Sequence, residues 1–191
     1  MPNSVLEQQL RERGLQILGP CERLSECREL MVESALLRDF TPAEAELLGS
    51  CMLRIGARPG QLLIAEGEGS DWLMVLLRGT VDIGKRKVGA ESDSREPGDT
   101  TRLAVFREGA VIGEMSMLDG EPRYASCWAL SEVEAGVLAR AAVAHLIEQH
   151  PAVGAKLLVK LTQLLAQRLR NSSNQLVKLL RRQAAHNTGE V

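Results

Sequence analysis

Residues 111–130 read VIGEMSMLDGEPRYASCWAL. A Gly-Glu pair, a short apolar run, an Asp-Gly turn and a Pro-Arg follow one another, with the carboxylate of Glu114 and the guanidinium of Arg123 nine residues apart. Gly113 frees a backbone N–H for close approach, and EMSML suits one helical turn whose unpaired N–H groups favour an anion at its start. Arg123 offers a planar fork of donors for phosphate oxygens, with a charge that does not titrate near neutrality. Glu114 is an acceptor suited to neighbouring hydroxyls on a sugar. Phosphate plus ribose is the ligand these residues imply; the competing reading is an exposed Glu–Arg salt bridge worth under about 1 kcal/mol.

Around this stretch, residues 51–139 break into short apolar runs cut by glycine: MLRIGARPG, QLLIAEGEGSD, WLMVLLRG, TVDIGKRK, RLAVFREG, YASCWALS and VEAGVLA. Many short strands with turn signals between them predict a sandwich or barrel of the jelly-roll kind. VGAESDSREPGDT, 88–100, is polar and Pro/Gly-bearing and is expected as an exposed, mobile loop. Helical patterns bracket this middle. Val5, Leu6, Leu10 and Ile17 predict a helix over 4–18, broken at Gly14, and a second helical run covers about 24–37. Thr41, Pro42 and Glu44 spell a capping box with proline at the first helical position, which predicts a short helix over 42–49. After Arg140, RAAVAHLIEQH reads as one short helix, and Pro151 opens a long one through about Gln183. Its Leu158, Leu161, Leu165, Leu169, Leu176 and Leu180 are expected along one side, a stripe that usually packs on a partner helix.

The class is therefore α+β, a jelly-roll barrel flanked by N-terminal helices and a long C-terminal helix. Three parts are expected: an N-terminal helical extension 1–33, a β-roll domain 34–150, and a long lid or dimerisation helix 151–186. With 191 residues, 45% apolar and only 3% aromatic, the chain has one main core built from aliphatic side chains. Its start is charged and polar, and no apolar run approaches the length of a membrane span, so a cytoplasmic protein is expected. Cys21, Cys27, Cys51 and Cys127 lack metal-site spacing and read as buried free thiols; no metal is expected. Charge is uneven: residues 1–150 carry 16 Lys/Arg against 24 Asp/Glu, whereas 151–189 carry seven Lys/Arg and no acid. The basic residues of that helix read chiefly as a solvated face, with cations suited to a helix C-terminus.

GEMSMLDGEPRYAS resembles the phosphate-binding cassette of cyclic-nucleotide-binding domains, whose pattern is Gly-Glu-apolar-Ala/Ser-apolar, a short turn, then Arg-small-Ala-Thr/Ser. RPGQLLIAEGEGSDWLMVLLRGTVDI resembles the same family's early strands, with Gly60, Gly67 and Gly79 at its turns. The resemblance implies that Glu114 accepts from the ribose 2′-hydroxyl and Arg123 grips the cyclic phosphate. It also implies that the backbone of Gly113, Met115, Ser116 and Tyr124 completes the cradle, with Ser126 closing the pattern. Tyr124 departs from the usual small residue, which leaves base selectivity open: its ring either points out by strand alternation or lies against the base.

RLRNSSNQL, 168–176, is similar to the dimerisation helix of the catabolite activator protein family, where two hydroxyl residues reach the adenine amino group. Ser172 and Ser173 stand at those positions, though polar residues in a leucine seam equally fix register or face water. About a dozen residues follow Leu180, too few for a helix-turn-helix, so no sequence-specific DNA binding is expected.

Catalysis has no candidate. GTVDIGKR, 79–86, nearly spells a phosphate-binding P-loop but lacks its Ser/Thr and alternates as a strand, and no nucleophile elbow or metalloprotease motif is present. The resemblance implies a stand-alone receptor for cAMP, or in second place cGMP, without a metal. It would be a homodimer through 155–183 and would pass helix movement to an unidentified downstream protein. The alternative is a ligand-independent interaction or scaffold module on the same fold.

Overall fold

The computed structural model describes residues 3–87 and 100–187. All of the polar loop expected at 88–100 except Thr100 lies outside the described residues. The chain runs through α1 (Asn3–Glu12), β1 (Gln16–Pro20), a 3-10 turn (Leu24–Glu26), α2 (Arg28–Glu33), α3 (Pro42–Ser50), β2 (Leu53–Ala57) and β3 (Leu62–Ile64). It continues through β4 (Trp72–Arg78), β5 (Val81–Arg86), β6 (Thr100–Phe106), β7 (Val111–Ile112), α4 (Glu114–Asp119), β8 (Ser126–Ala129), β9 (Val133–Ala139), α5 (Arg140–Gln149) and α6 (Pro151–Asn187). Two antiparallel sheets, ordered β1-β2-β9-β4-β7 and β3-β8-β5-β6, form the expected jelly roll.

Strand alternation divides the interior into two cores. In β4, Trp72, Met74 and Leu76 face the space between the sheets, where Ile55, Leu63, Ile112, Ala135 and Val137 meet them. Leu73 and Val75 point the other way, toward the helices, and pack with Leu37, Leu48, Leu146, Leu157 and Leu161. Successive side chains of a strand take opposite faces, so a strand covered on both sides reads as one continuous apolar run. Within GTVDIGKR, Val81–Arg86 form the strand β5.

The N-terminal reading needs correction. The helix ends at Glu12, and Ile17 belongs to β1, paired with Ile55 of β2. Gly14, at φ 73°, closes α1: its amide bonds the Arg11 carbonyl, the Leu15 amide bonds the Leu10 carbonyl, and Leu10 and Leu15 are both buried. This glycine cap satisfies the last carbonyls and turns the chain out of the helix into a sheet edge. Only short pieces, Leu24–Glu26 and Arg28–Glu33, form within 24–37. Cys21 and Cys127 are buried, but Cys27 is exposed and Cys51 half-buried, so the expectation of buried thiols holds for two of the four. Burial pushes the Cys21 thiol up to about 12 and raises that of Cys127 as well, which keeps both unreactive at neutral pH.

The capping box of α3 forms as its residues dictate: Thr41 accepts from the Glu44 amide and Glu44 accepts from the Thr41 amide. Glu44 also receives the ammonium of Lys156 at 2.6 Å, which fastens the start of α6 to α3. Hydrogen bonding from Lys156, then from the Thr41 amide, lowers the Glu44 carboxyl below its usual 4.5. A depressed acid contributes stability above its unfolded pKa and loses it as pH falls through the folded value. Lys156→Met is therefore expected to remove at most about 1 kcal/mol at neutrality, because the pair is partly solvated. The difference from the native chain should shrink as pH falls from 4.5 towards the lower folded pKa of Glu44 and vanish below it, which denaturant unfolding at pH 7 and at successively lower pH checks.

α6 has 37 residues, about 55 Å at 1.5 Å per residue. Val153, Leu157 and Leu161 are buried in the helical core, whereas Leu169, Leu176, Leu179 and Leu180 are more than half exposed. The predicted stripe therefore splits into a first half docked on its own chain and a second half, 169–183, that is exposed throughout. Among the described residues no helix is long and apolar enough to cross a membrane.

Candidate functional site

β7 delivers the chain to Gly113 beside β4, and α4 starts there. Gly113 adopts φ 81°, and a Cβ at this position would run into Nη1 of Arg123. The backbone conformation and the close approach both demand glycine. Gly113→Ala is expected to cost about 1–2 kcal/mol through the left-handed conformation and the displaced guanidinium, measurable as a lowered unfolding midpoint.

Arg123 precedes β8, in a segment that pairs with the turn after β3: its amide bonds the Glu68 carbonyl and its carbonyl accepts from the Gly67 amide. The side chain is 3% exposed. Nε donates to Ser70 Oγ at 2.5 Å, Nη1 to the Gly113 carbonyl at 2.7 Å and Nη2 to the Trp72 carbonyl at 2.6 Å, and the guanidinium lies 4.4 Å from the Trp72 ring centroid. A guanidinium has five N–H donors, so two remain, one on each terminal nitrogen. Burial, then the charge of Arg13, pushes the pKa of Arg123 down to about 10, while Glu114, Glu68 and Asp71 oppose the shift. The group stays cationic at neutral pH.

Glu114, the first residue of α4, is 2% exposed and accepts from Nη1 of Arg168, which reaches in from α6. Arg168 Nη2 also donates to the Val111 carbonyl at 2.6 Å, and its guanidinium lies 5.0 Å from the Phe106 ring centroid. Ser116 is buried and Met115 exposed on the same turn. Arg140, first in α5, donates from Nε to the Met117 carbonyl at 2.7 Å and from Nη2 to the Ser116 carbonyl at 2.9 Å. The short helix is thus held by arginines at both ends, the buried Arg123 and half-buried Arg168 at its start and the exposed Arg140 at its last turn, where a cation suits the carbonyls.

The structure brings Gly113, Glu114 and Arg123 together, and the exposed salt bridge that was the competing reading is absent, since each charge is buried with a different partner. Tyr124 is 58% exposed with its ring 3.5 Å from the Lys85 ammonium, which also donates to the Tyr124 carbonyl. Ser126 accepts from the Glu66 amide at 2.9 Å, an internal strand contact. Ser172 and Ser173 are exposed on α6, one turn and a little more past Arg168. A cleft of about 840 Å³ lies elsewhere, lined by Gln16, Arg58, Gln61, Arg78 and Glu134 among others. Among the described residues no cluster of His, Cys, Asp or Glu could hold a metal. Sequence reasoning missed Arg168 as the partner of Glu114, and Arg140 and Trp72 as supports. Arg168 stood in the quoted RLRNSSNQL, but nothing local tells which residue it meets 54 positions upstream.

A jelly roll that carries a glycine-glutamate turn, a buried arginine fork and a long carboxy-terminal helix is the architecture of a regulatory sensor domain. The model of the cyclic nucleotide-binding domain matches residues 54–150, just over half of the chain, and the chain belongs to that family. It is similar to a CRP-like cAMP-activated global transcriptional regulator of Mycobacterium tuberculosis, at 28% identity over 80% of this chain and 62% of that protein. The chain thus spans less than two thirds of that relative's length. A cyclic nucleotide-binding domain from Methylobacillus flagellatus shares the fold at a TM-score of 0.73 and 33% identity, covering 86% of this chain and 88% of that one. The catabolite activator protein of Thermus thermophilus follows at 0.64 and 29%, covering 76% of this chain and 63% of that one.

Proposed function

We propose that this chain is a receptor for cAMP, or in second place for cGMP, that passes binding to a protein partner through α6. The observation that carries the reading is the convergence of three elements on one turn: Glu114 on α4, Arg123 before β8 and Arg168 on α6. The family match and the cAMP-activated relative support the choice of ligand. The cyclic phosphate takes the two unused donors of Arg123, and the ribose hydroxyl approaches Glu114. Glu114 is already occupied by Arg168, so a ribose there must share or displace that contact, and the helix that bears Arg168 feels the difference. A ligand shifts an equilibrium only by its differential affinity for the two states, and this contact provides one. The backbone of Gly113, Met115, Ser116 and Tyr124 would complete the phosphate cradle. The exposed Leu169, Leu176, Leu179 and Leu180 favour a homodimer through 155–183, which would also supply Ser172 and Ser173 at a base.

One observation favours the scaffold alternative: Arg123 and Glu114 are already paired within the protein. Titration calorimetry with cAMP and cGMP, beside analytical ultracentrifugation, separates the two. A receptor gains stability by mass action as ligand rises. Absence of binding heat and of any thermal shift with either nucleotide would leave the scaffold reading.

A further inference from the structure

The geometry points to Arg13, from the turn that ends the N-terminal helix, as a second cation of the phosphate position, so that α1 belongs to the ligand-binding unit. The inference rests on the reading of Arg123 as the phosphate residue. The glycine cap at Gly14, flanked by the buried Leu10 and Leu15, holds Arg13 in place against the β-roll. Its side chain is 16% exposed, and its guanidinium lies 6.0 Å from the centroid of the same Trp72 ring that Arg123 approaches at 4.4 Å. Arg13 Nη1 and Glu68 Oε2 form an ion pair at 2.6 Å without the alignment of a hydrogen bond, and the carbonyl of Glu68 accepts from the Arg123 amide, so a second path joins the two arginines through the backbone. Arg13 is also the charge that, after burial, most lowers the proton affinity of Arg123.

Two like charges near one buried ring repel in a medium that screens them poorly, and an anion bound at the guanidinium of Arg123 relieves that repulsion. Trp72 adds an independent observation. Its indole is 0% exposed, and among the described residues Nε1 has no hydrogen-bond partner. An unsatisfied buried donor is rare in a folded protein, and it sits here on the ring shared by the two guanidiniums. The unused N–H groups of Arg123 are donors for an anionic ligand, and Arg13 deepens the positive potential around them. Glu68 holds that potential in check.

Charge and packing make opposite forecasts for the Arg13–Glu68 pair. If Arg13 acts by its charge, Arg13→Gln weakens cAMP binding about tenfold and Glu68→Gln tightens it about threefold, with Arg13→Lys close to the native chain. If the pair only braces the fold, both glutamine variants shift affinity in the same direction. Calorimetric titration of the full chain and the three variants with cAMP, with far-ultraviolet circular dichroism as the check on folding, decides. Opposite signs support the inference, and equal affinities or shifts of one sign overturn it. A native chain that binds no cyclic nucleotide overturns the receptor reading itself. A native chain that binds while the variants do not differ removes Arg13 alone.

Discussion

Arg123→Ala is expected to weaken cAMP binding at least about 30-fold, near 2 kcal/mol, because a desolvated charged contact is lost where water cannot replace it. The same substitution should lower folding stability by about 3 kcal/mol, since buried acceptors lose their donor. Those acceptors are the carbonyls of Gly113 and Trp72 and the hydroxyl of Ser70. Arg123→Lys keeps the charge but not the fork, so it should recover little of either loss. Calorimetry and denaturant unfolding read the two effects separately. A variant that binds like the native chain would remove position 123 from the phosphate site. One that is equally stable would mean that the three internal contacts are replaced by solvent.

Arg168→Gln is expected to destabilise the protein by about 3 kcal/mol, because it leaves the Glu114 carboxylate buried at 2% exposure without its cation. The double variant Glu114→Gln with Arg168→Gln removes both charges of the pair and should recover part of the loss. Hydrogen exchange gives the more telling readout. With its tie to α4 removed, α6 should exchange faster beyond residue 161, where the buried contacts Val153, Leu157 and Leu161 end. An unaltered unfolding midpoint together with unaltered exchange in α6 would show that the pair does not couple the helix to the turn.

These two residues differ in how far the sequence exposes them. Arg123 was legible because its motif is contiguous: Gly113, Glu114 and Arg123 lie within one stretch, and backbone requirements at a glycine turn leave a local signature. Arg168 was not. It lies 54 positions from Glu114, and a guanidinium on a helix carries no mark of which carboxylate it will meet. The same holds for Trp72, whose place near two arginines depends on where β4 and the end of α1 come to rest.

The fold divides along the same line. The capping box at Thr41, the proline that opens α6 and the alternation of the strands between 51 and 139 are short-range patterns, and they determined the helices, the strands and the jelly-roll class. Ile17 shows the limit, because its spacing suits a helix while the cap at Gly14 and the ladder with Ile55 put it in a strand. By itself the sequence determined the class of fold, the Gly113–Arg123 turn and the membership of the long helix. Only the tertiary structure decided which cation answers Glu114, which ring Arg123 covers and where α6 leaves its own core. Those are contacts between distant segments, set by how sheets and helices pack, and no local periodicity encodes them.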